Sequence, residues 1–260
     1  MLELTQAIII FLFAICIGSF LNVCIYRMGR EQSIVMPASH CPSCKHPIRW
    51  YDNIPLLSYV FLRGRCRDCH APISWRYFAV ELLTGVLFLL LYDRFGLSAP
   101  FFIFAVLVSG LLVATFVDFD FQIIPDEISV GGIVAGFLAS VAFPEIQGMA
   151  THLLGLRESL LGIVVGGGTL WILGLAGDFI FKKESMGGGD IKLLAMVGSF
   201  LGWKAALLTL PVASLCGAVV GVVIKLRTKE SVIAFGPYLS LAAIINIFWM
   251  DRILAFLFGL

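Results

Sequence analysis

Long apolar runs separated by short polar connections dominate the chain, and the length of the runs says more than their periodicity. About 20 apolar residues cross roughly 30 Å of hydrocarbon. On that ruler the pattern predicts eight helical segments, approximately 4–26, 77–95, 98–117, 127–143, 158–181, 191–202, 205–225 and 232–250. The sixth is short for a span by itself and reads as tilted, shielded by its neighbours or part of a longer bent element. The first run has no charged stretch before it and no A-x-A site after it, so it reads as a retained span rather than a secretory signal. One long polar stretch interrupts the pattern. It divides the chain into a first membrane helix (1–28), a polar insert (29–76) and an apolar core (77–260).

Composition sharpens this into an all-α polytopic membrane protein: 60% of the 260 residues are hydrophobic, 13% are charged, and the mean hydropathy is +0.98. The net charge of +1 is uninformative, but the placement of charge is not. Eight of the 18 Lys and Arg residues fall between Arg27 and Arg76, which assigns the insert to the cytoplasmic side. Eight spans then put Lys182, Lys183, Lys225, Arg227 and Lys229 inside as well, and leave Arg94, Arg157, Lys204 and Arg252 outside. The connection from Asp118 to Asp126 is also predicted to be cytoplasmic, yet it carries three Asp and no Lys or Arg. A loop that departs from the charge rule invites a functional reading. Glycines in the second half, including Gly166-Gly167-Gly168 and the Gly217/Gly221 pair, fit close packing between helices in lipid. No nucleic-acid partner is expected.

Cys41-Pro42-Ser43-Cys44 and Cys66-Arg67-Asp68-Cys69 have the spacing of a zinc ribbon. Two such turns present four thiolates, a closed S4 shell that suits one structural Zn²⁺ per chain and staples an insert too small to build a core. A pair of disulfides or a redox dithiol is the alternative, disfavoured by a reducing compartment and by the lack of a thioredoxin-like pattern. His40, His46 and His70 flank the pairs and offer substitute ligands or groups that support the thiolates, but with four thiols available they read as solvent-facing.

Carboxylates at a membrane boundary need a partner, water or a task. Asp118, Asp120 and Asp126 cluster where the third segment gives way to the fourth, and Asp190 follows Gly187-Gly188-Gly189 at the start of the sixth. Two neighbouring carboxylates that share one proton can hydrolyse a peptide: the ionised one takes a proton from water and the protonated one polarises the carbonyl. The glycines permit φ > 0 and close approach of an extended substrate backbone. Lys192 either biases the pair's ionisation or snorkels to headgroups. Asp126, after Pro125, reads most simply as an N-cap. Asp120 is either a solvated boundary residue or part of the pair's surroundings, and Asp178 reads as a packing or water-facing group.

Gly187-Gly188-Gly189-Asp190, and Asp118 followed by Ile124-Pro125-Asp126, resemble the two aspartate motifs of the bacterial type IV prepilin peptidases, G-x-G-D intramembrane aspartyl proteases. Gly18-Ser19-Phe20-Leu21-Asn22-Val23, Tyr26-Arg27, the four cysteines and Asn53-Ile54-Pro55 resemble the family's N-terminal region. The resemblance implies cleavage of prepilin or pseudopilin leaders after a glycine on the cytoplasmic face of the inner membrane. It makes Asp118 and Asp190 the catalytic pair and leaves Asp126 as a structural neighbour; Gly187, Gly189, Asp120 and Lys192 are expected to support the pair. In many members N-methylation with S-adenosylmethionine follows. No Gly-rich strand-to-helix fingerprint marks a donor site in this sequence. A G-x-G-D protease with other membrane substrates, and a transporter or assembly scaffold, are the competing readings.

Overall fold

In a computed structural model, which describes residues 2–182, 186–228 and 234–258, the chain is built from helices. They are α1 (Leu2–Met28), the short α2 (Leu57–Phe61), α3 (Trp75–Phe95), α4 (Ala99–Phe121), α5 (Asp126–Ala142), α6 (His152–Phe181), α7 (Gly188–Thr228) and α8 (Gly236–Phe258). Lys183, Lys229 and the first two residues of the predicted 232–250 segment lie outside the described residues. Two compact units divide the chain, Met1–Phe101 and Phe102–Leu260.

In the first unit α1 and α3 pack antiparallel. Gly18 is required there, because a Cβ would lie 2.8 Å from the Glu81 backbone, and Gly85 abuts Phe11 in the same way. Asn22 donates to the Tyr77 carbonyl (3.0 Å) and Tyr92 to Gln6 (2.6 Å), which fixes the register at both ends of the pair. Ser74 caps α3 by accepting from the Arg76 N–H.

Between these helices the two cysteine pairs form near-identical knuckles. Cys-x-x-Cys-x-x-Pro-Ile occurs at Cys41–Ile48 and again at Cys66–Ile73, with a Trp at the same offset after each, Trp50 and Trp75. The backbone repeats as well. Cys41 N–H donates to His46 and Cys66 N–H to Ala71, while Ile48 and Ile73 donate back to Ser39 and Gly64. Lys45 and His70 hold equivalent left-handed positions. This short duplication is visible in the sequence once the knuckles are aligned.

In the second unit α5 and α6 clasp α7. Gly162 and Gly198 face each other, Gly166 lies against Leu194, and Gly132 and Gly136 receive Met196 and Phe200, so small residues set the helix separations. At Gly202 (φ 81°, ψ 173°) α7 ceases to be helical and the chain reverses. Gly166 therefore meets both Leu194 and Ala206, which an unbroken helix would place about 18 Å apart. The carbonyls freed at the end of the first leg are capped from outside. Ser140, Ser159 and Gln147 all donate to Ser199 O, and Gln147 also reaches Phe200 O. The second leg runs antiparallel to α8, with Asn246 donating to Ala205 and Thr209, and Gly217 against Tyr238.

The predicted sixth and seventh segments are thus the two legs of one folded-back element. Among the described residues five helices are long and apolar enough to cross a membrane: those over Glu3–Met28, Ala99–Phe121, His152–Ile180, Gly188–Val223 and Gly236–Phe256. That count differs from the expected eight for physical reasons. The two α7 legs are contiguous, α5 has only 17 residues, and α3 carries Arg76, Glu81, Asp93 and Arg94.

Candidate active site and metal centre

Asp118 lies in the last turn of α4 and is 6% exposed. The helix stops just beyond it, where the Gln122 N–H donates to the Asp118 carbonyl and Gln122 turns left-handed (φ 54°). Ile123 and Ile124 then lead to Pro125, whose extended backbone starts α5. The buried Ile124 is the wedge of the site. A Cβ on Gly189 would lie 3.0 Å from Ile124 Cβ, and one on Gly236 would lie 3.1 Å from Ile124 Cδ1 and 2.7 Å from Asp118 Oδ2. The N-termini of α7 and α8 can therefore close on this turn only because glycines begin them.

Asp118 Oδ2 accepts a hydrogen bond from the Gly236 N–H (2.9 Å), an otherwise orphaned donor in the first turn of α8. Asp190 stands in the first turn of α7, its own N–H donating to Gly187 O (3.1 Å). Its Oδ1 is buried with no partner among the described residues, and Ile124 lies against both Gly189, the residue before Asp190, and Gly236, whose N–H holds Asp118. An unsatisfied buried carboxylate oxygen is costly in a folded chain, and it is the arrangement expected where water or a substrate completes the site.

The supporting residues divide. Gly187 leaves room beside Asp190 Oδ2, where a Cβ would lie 3.2 Å away, and Gly189 makes room for Ile124. Neither has positive φ, so conformational freedom is not their use, contrary to the sequence-based reading; close approach is. Lys192 is ion-paired with Asp126 (2.6 Å) rather than snorkelling. Asp126 is the first residue of α5 and makes no cap hydrogen bond, so it is not the N-cap. Asp120 is exposed. Gly236 was missed in the sequence, although Gly-Pro opening an apolar run is a readable helix start.

In the first unit, the sulfurs of Cys41, Cys44, Cys66 and Cys69 all lie within 4.8 Å of one another, and none is in a disulfide. The Cys41–Cys69 separation is 3.8 Å. A tetrahedral shell with Zn–S bonds of about 2.3 Å has edges of about 3.8 Å, so the donor set fits zinc. The Cys44 N–H, and after it that of Ser43, points at the Cys41 sulfur and lowers its pKa, favouring the ligating thiolate. The second knuckle is tied to the 50–53 turn: Arg67 Nε donates to both Asp52 oxygens (3.0 and 2.8 Å) and its Nη2 to one of them. This clamp was not foreseen.

An all-helical membrane protein with two carboxylates converging at helix ends, and a separate four-thiolate centre, is the class that fold and site define. Comparison with known proteins narrows it. The family model of the bacterial peptidase A24 N-terminal domain matches residues 12–95, and that of the type IV leader peptidase family matches residues 105–222. The prepilin leader peptidase/N-methyltransferase of Aeromonas hydrophila is 38% identical over 94% of this chain and 91% of its own length. That of Pseudomonas aeruginosa is 35% identical over 93% and 90%. The protein of the same name from Myxococcus xanthus is 45% identical over 86% of this chain, which spans 65% of that longer relative. No solved structure matches. The chain belongs to the type IV leader peptidase family.

Proposed function

We propose that the protein is a membrane aspartyl endopeptidase that removes the leader peptides of type IV prepilins or pseudopilins and then methylates the new N-terminus. The observation that carries the peptidase reading is the convergence of Asp118 and Asp190, one carboxylate held by the Gly236 N–H and the other with a buried oxygen unpartnered. In this reading the pair shares one proton. The ionised member takes a proton from the attacking water while the other donates a hydrogen bond to the scissile carbonyl, and the roles reverse as the amine leaves. The names of the relatives favour this over transport or scaffolding.

The four thiolates hold one structural zinc, supported by the 3.8 Å sulfur separation. The insert and the aspartates face the cytoplasm at the inner membrane, supported by the eight Lys and Arg between Arg27 and Arg76. S-adenosylmethionine, when bound, supplies an electrophilic methyl group; the chain's part is to bind and orient it.

Asp118→Asn and Asp190→Asn each reduce leader cleavage by purified protein about a hundredfold or more, with zinc content and thermal midpoint unchanged. Normal processing of a prepilin by either variant would overturn the assignment of the pair. The assay is mass spectrometry of the cleaved substrate, which reads the cleavage site directly.

A further inference from the structure

Between Asp52 and Arg63 the polar insert carries a run with no charge beyond Asn53, Ile54-Pro55-Leu56-Leu57-Ser58-Tyr59-Val60-Phe61-Leu62. In a water-soluble domain such a run turns inward. Here it turns outward: Leu57 is 53% exposed, Val60 60% and Phe61 79%. Against water these side chains would form an apolar patch that needs a cover.

The level at which the run sits along the membrane helices decides what covers it. The Leu56 N–H donates to Glu81 Oε2 (2.7 Å), and the Tyr59 ring packs on that of Phe78. Glu81 is six residues into α3, about 9 Å along the axis from its first residue. Its backbone meets Gly18 of α1, ten residues before that helix ends, and Pro55 shares a cleft with Ser19, Phe20 and Val23. Of the 27 residues of α1, about 20 cross the hydrocarbon, which puts Gly18 inside it. The chain therefore descends beside α1 and α3 to Leu56 and climbs back through Tyr59 to the second knuckle.

Irregular backbone at that depth is tolerated only where its polar groups are satisfied. Pro55 has no N–H, and Leu56 turns its own toward Glu81 by taking a positive φ (60°), uncommon for a leucine. The N–H groups of Leu57, Ser58, Val60 and Leu62 donate to the carbonyls of Pro55, Ile54, Leu56 and Ser58. Directly after the run come the exposed Arg63 and Arg65, complementary to anionic headgroups. The exposed Phe20 of α1 and Leu82 and Leu83 of α3 continue the apolar surface on the spans themselves.

We infer that residues 54–62 form an interfacial hook that dips into the adjacent leaflet, with Leu57, Val60 and Phe61 among the acyl chains and Arg63 and Arg65 at the phosphates. The hook ties the four-cysteine insert to the bilayer surface, and Glu81 positions it.

The test is nitroxide accessibility in the full-length, zinc-loaded chain, with Cys16, Cys24 and Cys216 replaced by Ala, in vesicles of phosphatidylcholine and phosphatidylglycerol. Oxygen concentrates among acyl chains, whereas a nickel chelate stays in water. A label at Phe61→Cys is expected to favour oxygen over the chelate by about tenfold or more relative to one at the exposed Ala150→Cys. Both Phe61 and Val60 are exposed, so replacing them removes little packing; should Phe61→Cys lose its zinc, Val60→Cys decides with the same expected ratio. Chelate access equal to that at Ala150 overturns the hook. Exclusion of both reagents means that protein, a second copy or another partner, covers these side chains, and overturns it as well.

Discussion

Gly162 and Gly198 approach so closely across α6 and α7 that a Cβ on either would strike the other's backbone carbonyl, which cannot swing aside as a side-chain end can. Gly198→Ala is therefore expected to destabilise the protein by about 1–3 kcal/mol, as overpacking does. Gly131→Ala, in a helix position where a Cβ meets open space, stays within about 0.5 kcal/mol or gains slightly from helix propensity. Thermal unfolding in detergent separates the two; equal midpoints would mean that α6 and α7 do not meet on these glycines. The same scale shows why some of the site was legible and some was not. Asp190 stands out in sequence because three glycines precede it, whereas the loop that departs from the charge rule offers three aspartates, of which the family resemblance selects Asp118. Gly236 does not stand out, because its use depends on a turn more than a hundred residues earlier, and no local pattern records that the Asp118 carboxylate will meet its N–H.

Among the elements, apolar length located every long helix, since hydrocarbon thickness fixes that length. It offered a longer bent element only as one of three readings of 191–202, because the reversal that folds it back against 205–225 resides in the backbone of a single residue, Gly202. The cysteine knuckles were legible as a metal site, whereas the Arg67–Asp52 clamp that ties the second knuckle to the 50–53 turn was not. Cys66→Ser is expected to lower zinc content from one per chain to near zero, because three thiolates leave the S4 shell open. The clamp has its own signature. The Arg67 guanidinium holds the Asp52 carboxyl below the usual carboxylate range. A depressed folded-state pKa makes a contribution that is complete above the ordinary value near 4 and is lost as pH falls through the lower folded value. Asp52→Asn should therefore retain less zinc under chelator challenge than wild type, by a margin constant from pH 8 to about 5. A margin that shrinks between pH 8 and 6 would point to a different titrating group.

For the molecule as a whole, the arrangement within the second unit sets a test of orientation. The α4–α5 turn, the start of α7 and the start of α8 come together around Ile124, so the aspartates share one end of the bundle. The α5–α6 connection, where Gln147 caps the first leg of α7, marks the other end. The proposed function puts the first end on the cytoplasmic side, although the Asp118–Asp126 loop has no Lys or Arg of its own. Single cysteines at the exposed positions Gln122 and Ala150 read the two ends directly, against a background in which Cys16, Cys24 and Cys216 are replaced by Ala and zinc protects the four knuckle thiolates. In intact cells with a permeable outer envelope, an impermeant maleimide should label Ala150→Cys and spare Gln122→Cys until the inner membrane is opened. The reverse pattern would put the carboxylate pair on the outer face, where a substrate presented from the cytoplasm could not reach it.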